Sequence, residues 1–185
     1  MGFVATDIPG VLIFEPKVFG DSRGYFYESY NASLFEKEGI TTKFVQDNQS
    51  SSSYGVIRGL HYQLQPHTQV KLVRVLSGTI LDVVVDLRKG SPAYGKSFSI
   101  KLSAEDKKQL YIPAGLAHGF SVLSETAEIF YKCDKFYNKE SEGGILYNDL
   151  ALKIDWQVPP GKAIISDKDK VQPLLADCKC DFIFQ

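Results

Sequence analysis

Lys71-Leu72-Val73-Arg74-Val75-Leu76-Ser77-Gly78-Thr79-Ile80-Leu81-Asp82-Val83-Val84-Val85-Asp86-Leu87-Arg88 decides the fold class of this chain. β-Branched residues crowd the stretch, and its pattern has a period of two rather than about 3.6. It predicts strands over residues 70–76 and 79–87, with Ser77-Gly78 as a tight hairpin turn between them. Similar short candidates lie on both sides. Residues 11–14, 25–29, 43–48 and 56–63 precede it; 96–102, 109–112, 119–123 and 125–132 follow. Asn31 is placed to cap a short helix over 33–38 that Gly39 stops, and Ser166 to start another running to Lys170. Ser50-Ser51-Ser52-Ser53 reads as a mobile loop. Many short strands with Gly and Pro punctuation predict an all-β antiparallel barrel or sandwich, and a jelly roll fits best.

The bulk composition narrows the function. The 185 residues suit one domain, expected over 1–185. A formal net charge of −1 offers no basic surplus for nucleic acid. No apolar run is long enough for a membrane span, and no secretory signal opens the chain. Met1-Gly2-Phe3-Val4-Ala5-Thr6 matches a bare acylation pattern, but no polybasic anchor follows, so the match is read as chance. Cys133, Cys178 and Cys180 form no disulfide framework, which points to a reducing, cytoplasmic setting. Cys178-Lys179-Cys180 lacks the second pair of a zinc site.

The chemistry-bearing residues are few. The histidines are His61, His67 and His118. His61 closes a candidate strand that also carries Arg58, and the turn-rich Pro113-Ala114-Gly115-Leu116-Ala117 places His118 at a strand entrance. Period two turns either Lys71 or Arg74 inward. A buried lysine needs a partner or an anionic ligand; at a sheet edge it would only be a gatekeeper. Asp82 and Asp86 share a face, as acids or as a structural pair with Arg88. The histidines suggest a cupin. Its metal-binding version needs a His-x-His pair, a carboxylate and a third histidine. Here His61 is followed by Tyr62-Gln63, and Lys71 lies downstream. The expectation is a cupin-type pocket with no metal and no cofactor.

Longer stretches become specific. They include Phe19-Gly20-Asp21-Ser22-Arg23-Gly24-Tyr25-Phe26, Phe44-Val45-Gln46-Asp47-Asn48 and Val56-Ile57-Arg58-Gly59-Leu60-His61-Tyr62-Gln63. Ile112-Pro113-Ala114-Gly115-Leu116-Ala117-His118, Ala127-Glu128-Ile129-Phe130-Tyr131-Lys132, Glu142-Gly143-Gly144-Ile145-Leu146 and Ile165-Ser166-Asp167-Lys168-Asp169 continue the series. In these, nearly end to end, the chain resembles the RmlC family of dTDP-4-dehydrorhamnose 3,5-epimerases.

The resemblance implies a cupin-type jelly roll, a homodimer and a dTDP-linked 4-keto-6-deoxy sugar as substrate. The hydrogens at C3 and C5 flank the ketone, so removing either gives an enolate. That chemistry needs a base, an oxyanion stabiliser and an acid on the opposite face. By resemblance His61 is the base, Asp169 orients it, Tyr131 is the acid and Lys71 stands by the ketone oxygen. Imidazole, with an ordinary pKa of ~6.5, is a ready acceptor near neutrality. Arg23, Glu28, Gln46, Asn48, Arg58, His118, Glu142 and Lys168 match substrate contacts, and Tyr137 matches an aromatic that stacks on thymine, with Tyr27 as a possible assistant. Taken singly, each has a plainer reading: Arg23 and Glu28 as a surface pair, Tyr131 as strand filling, Asp169 as a helix cap. Competing functions are an epimerase acting at one carbon, a non-catalytic sugar-nucleotide binder and a metal-dependent cupin enzyme.

Overall fold

The structure, a computed structural model, describes residues 2–184. Met1 and Gln185 lie outside the described residues, and with them the start of the acylation pattern and both ends of the expected 1–185 domain. In chain order the strands are β1 (Gly2–Ala5), β2 (Leu12–Glu15), β3 (Phe19–Asp21), β4 (Gly24–Phe26), β5 (Gln46–Ser53), β6 (Val56–Gln63) and β7 (Lys71–Ser77). They continue as β8 (Thr79–Asp86), β9 (Ser97–Ser103), β10 (Gln109–Ile112), β11 (Leu116–Val122), β12 (Thr126–Cys133), β13 (Glu142–Gly144) and β14 (Ile164–Ile165). The α-helices are α1 (Ala32–Lys37) and α2 (Asp167–Lys170). One sheet runs β1-β2-β10-β7-β12-β5 and the other β13-β6-β11-β8-β9, with β14 added in parallel to β6. This is the expected all-β, cupin-type jelly roll with a few short helices.

Strand alternation explains the layers. On β7, Val73 and Val75 point between the sheets, where they meet Ile80, Val84, Phe120 and Ile129. Leu72 points the other way and joins Phe14, Phe35 and Tyr111. Helix α1 covers that outer face: the Asn31 side chain accepts from the Ser33 N–H, and Phe35 is buried against the rings of Phe3 and Phe14. The outer face of the second sheet carries Leu81, Val83, Val85 and Tyr62, covered by Trp156 and Phe182 from the C-terminal third. Strand β8 is thus buried on both faces, and its near-continuous apolar run follows from that.

Three expectations need correction. Ser77-Gly78 is not a hairpin turn: β7 pairs with β10 and β12, whereas β8 pairs with β9 and β11 in the other sheet. The dipeptide is a corner between sheets. Gly78 adopts φ +77°, and a Cβ there would sit 2.1 Å from the Thr126 carbonyl oxygen, so only glycine fits. Ser50-Ser51-Ser52-Ser53 is not a loop, because β5 pairs with β12 along its whole length, from Gln46↔Cys133 to Ser53↔Thr126. Cross-strand pairing here outweighs the low β propensity of serine. His118 lies inside β11 rather than at its entrance, because pairing with β8 begins at Leu116↔Asp86.

Candidate active site

Both sheets and α2 contribute to one cavity of about 560 Å3, within the usual size of a small-ligand site. Arg58 and His61 line it from β6, His118 from β11, Lys71 from β7, Tyr131 from β12, and Lys168 and Asp169 from α2. Ser50, on β5, lines it too.

Arg58 and His61 stand three residues apart, a spacing that regular alternation sends to opposite faces. The β6–β11 register shifts between His118↔His61 and Phe120↔Arg58, so β6 carries one extra residue there. This bulge turns both side chains into the cavity. It rests on two glycines: a Cβ on Gly59 would lie 2.5 Å from Gly119 Cα, and one on Gly119 would lie 2.6 Å from the Arg58 carbonyl oxygen.

Asp169 reaches His61 through the fold. Parallel pairing of Ile164↔Val56 and Ile165↔Ile57 lays the start of α2 beside β6. Ser166 caps that helix by accepting from the Asp169 N–H at 3.1 Å. His61 Nε2 and Asp169 Oδ1 are 2.7 Å apart, and Gly59 N–H donates to Oδ2 at 3.4 Å. Burial works against the Asp169 carboxylate, but the hydrogen bonds and charge of His61, with the Gly59 bond, hold its pKa below the usual value. A neutral His61 ring then carries its proton on Nε2 and leaves Nδ1 as the acceptor.

A second imidazole–carboxylate pair stands alongside. His118 Nε2 lies 3.0 Å from each oxygen of the fully buried Asp82. Asp86, on the same face of β8, is instead held by Arg88 and Ser91 at 2.7 and 2.6 Å. Of the two aspartates, only Asp86 pairs with Arg88, and Asp82 pairs with His118. The pairing of Asp82 with His118 escaped the sequence reading; its signal was the shared inward face of Asp82 and Val84.

Lys71 is the inward cation of β7, with its ammonium 5.8 Å from the centre of the Tyr131 ring. Arg74 points outward, where its guanidinium stacks on Phe130 and donates to the Tyr27 hydroxyl. Burial draws the Lys71 pKa down, while Cys133 and Asp82 oppose the shift. Burial, with Cys133 adding to it, pushes the Tyr131 phenol up, so it stays protonated well above neutrality.

At the rim, Glu142 forms an ion pair with Lys168 and accepts from the Tyr137 hydroxyl at 3.0 Å. Burial disfavours its charge, but these two bonds keep its pKa low. Gln46 Oε1 accepts from the Tyr137 N–H and Gln46 Nε2 donates to Asn48, so β5 holds the segment bearing Tyr137. Arg23 and Glu28 are elsewhere. Arg23 sits on the exposed β3–β4 hairpin in an ion pair with Asp21, and Glu28 accepts from Asn31 Nδ2. They are not paired with each other. Among the described residues, no three His, Cys, Asp or Glu side chains gather as a metal-binding group.

The family model described as dTDP-4-dehydrorhamnose 3,5-epimerase matches residues 5–177. The chain belongs to the dTDP-4-dehydrorhamnose 3,5-epimerase family. It is 55% identical over 170 residues to the Shigella flexneri dTDP-4-dehydrorhamnose 3,5-epimerase, covering 91% of this chain and 93% of that one. The crystal structure of the Elizabethkingia anophelis enzyme superposes with a TM-score of 0.92 at 53% identity, covering 96% and 97% of the two chains. The Legionella pneumophila enzyme, solved in complex with dTDP-4-keto-L-rhamnose, gives 0.91 at 49% identity, covering 95% and 93%. The cavity brings together a histidine held by a carboxylate, a phenol that stays protonated and a lysine.

Proposed function

We propose that this chain is a dTDP-4-dehydrorhamnose 3,5-epimerase. It converts dTDP-4-dehydro-6-deoxy-D-glucose to dTDP-4-dehydro-L-rhamnose, in dTDP-L-rhamnose biosynthesis. The observation that carries this reading is the 2.7 Å His61–Asp169 contact at a cavity also lined by Lys71 and Tyr131.

His61 takes the proton from C3 or C5, and the Asp169 carboxylate stabilises the imidazolium that forms. The C4 oxygen becomes an enolate beside Lys71, whose charge is favoured as that oxyanion develops. Tyr131 returns a proton to the opposite face. His118, whose Nε2 is held by Asp82, offers Nδ1 to a sugar hydroxyl as an acceptor, and Arg58 donates to the diphosphate. Glu142, Lys168 and Tyr137 receive the nucleotide side, with Gln46 and Asn48 beside them. The reaction needs no redox partner, because one hydrogen leaves and one returns as protons, which supports a cofactor-independent mechanism.

We read the enzyme as a homodimer acting in the cytoplasm. The β3–β4 hairpin exposes Phe19, Tyr25 and Phe26 at 53%, 62% and 67%. This apolar patch beside Arg23 supports burial against a second copy, whose site Arg23 and Glu28 would then complete.

The deciding experiment is turnover in deuterated water with carbon positions read by NMR. Deuterium is expected at both C3 and C5, and labelling at one carbon alone would replace the double assignment with a single one. His61→Asn is expected to abolish turnover while nucleotide binding persists.

A further inference from the structure

The C-terminal segment carries a pair of thiols that the epimerase chemistry does not use. Cys178 and Cys180 pack against the apolar outer face of the second sheet. Cys178 is extended, at φ −67° and ψ 133°, and an extended chain turns residues i and i+2 to one side. Their sulfurs accordingly lie 3.7 Å apart, in van der Waals contact, and both are free thiols, neither fully buried. The segment is pinned in place. The Tyr62 hydroxyl donates to the carbonyl of Lys179 at 3.3 Å, Cys180 Sγ lies 3.8 Å from the Leu87 carbonyl, and Phe182 packs edge-on against Tyr62. Lys89 and Ile183 form a parallel bridge just beyond. Cys133 belongs to the other sheet and is buried. No metal-binding group of three forms among the described residues, so the chemistry open to this pair is that of two adjacent thiols.

We propose that Cys178 and Cys180 form a reversible intramolecular disulfide by exchange with a small-molecule disulfide. Cys180 gives its proton to solvent and attacks one sulfur of that disulfide; its S–S bond breaks, one small thiolate leaves and a mixed disulfide forms. Cys178 then gives its proton to solvent and attacks the Cys180 sulfur, and the second small thiolate departs. Two protein thiols are oxidised, and one small disulfide is reduced to two thiols. The second step is intramolecular, between sulfurs already in contact, so the mixed disulfide does not accumulate. Burial, with Cys180 adding to it, pushes the Cys178 thiol up to about 12, which suits the later, resolving role. Reversal is the same exchange run by small thiols.

The test is to incubate the full chain with oxidised glutathione, trap free thiols by alkylation and weigh the protein. The expected product has lost two hydrogens, carries no glutathione and, alkylated in denaturant, is modified only at Cys133. Trypsin cuts after Lys179, between the two cysteines, and the nicked fragments are expected to stay joined until reduced. Cys178→Ser is expected to stop at a stable glutathione adduct on Cys180. Wild-type protein that keeps both thiols, accumulates glutathione adducts, or forms a disulfide containing Cys133 overturns the proposal. None of these readouts depends on epimerase turnover.

Discussion

His61 and His118 stand directly opposite each other on the antiparallel strands β6 and β11, and each imidazole is backed by its own carboxylate. Asp169 holds the first and Asp82 the second. The first carboxylate comes from a short helix far along the chain, and the second from the neighbouring strand β8. Both imidazoles are therefore oriented before any ligand arrives, which lowers the cost of reaching the reactive geometry.

Asp169→Asn removes the charge that stabilises an imidazolium and weakens the preference for a proton on Nε2. The expected result is a fall in kcat of roughly 10³–10⁴-fold, the scale set by neutralising the carboxylate of a catalytic triad. Nucleotide affinity, measured by calorimetry, is expected to change little.

Asp82→Asn leaves His118 in place but removes its charge-assisted partner. One such hydrogen bond contributes about 1.5–3 kcal/mol, so kcat/KM is expected to drop about 10–100-fold. Deuterium labelling at C3 and C5 should remain paired, because His61 and Tyr131 are untouched. Loss of label at one carbon only would show that His118 acts in proton transfer rather than in binding.

Lys71→Met separates function from stability. Loss of the cation beside the developing oxyanion is expected to lower kcat by about 10²–10³-fold. The same change removes a poorly solvated charge from the cavity wall and is expected to stabilise the fold by about 1–2 kcal/mol near neutral pH. The sign against pH follows from linkage. The folded pKa of Lys71 lies below its ordinary 10.5, so the unfolded chain binds more protons between the two values. Wild-type stability therefore recovers relative to the variant as pH rises toward 10.5, a convergence that urea denaturation across pH will reveal.

Gly119→Ala tests the bulge. A Cβ would lie 2.6 Å from the Arg58 carbonyl oxygen, so β6 and β11 must separate. The expected cost is about 2 kcal/mol or more in unfolding free energy, with activity lost beyond that because Arg58 and His61 no longer face the cavity together. An alanine variant with wild-type melting and turnover would show that the strands adjust freely.

The sequence by itself determined a good deal. Period-two alternation in the stretch around Lys71 to Arg88 dictated strands, and the absence of a second histidine after His61 argued against a metal-type ligand set. The Asn31 cap and the Ser166 start were readable because capping is local chemistry. Alternation also put Lys71 and Arg74 on opposite faces, but the inward one depended on which face the second sheet covers, and that is Lys71. Tertiary structure alone decided three further things. Ser77-Gly78 turns between sheets rather than within one, since local turn chemistry is similar in both cases but strand partners are not. Arg58 and His61 share a face only because of a bulge set by the close approach of Gly59 and Gly119. Asp169 meets His61 through β14 pairing, a contact across 108 residues that no local pattern encodes. Short-range propensity and periodicity are written in neighbouring residues, whereas the meeting of distant side chains follows from which surfaces are buried against each other.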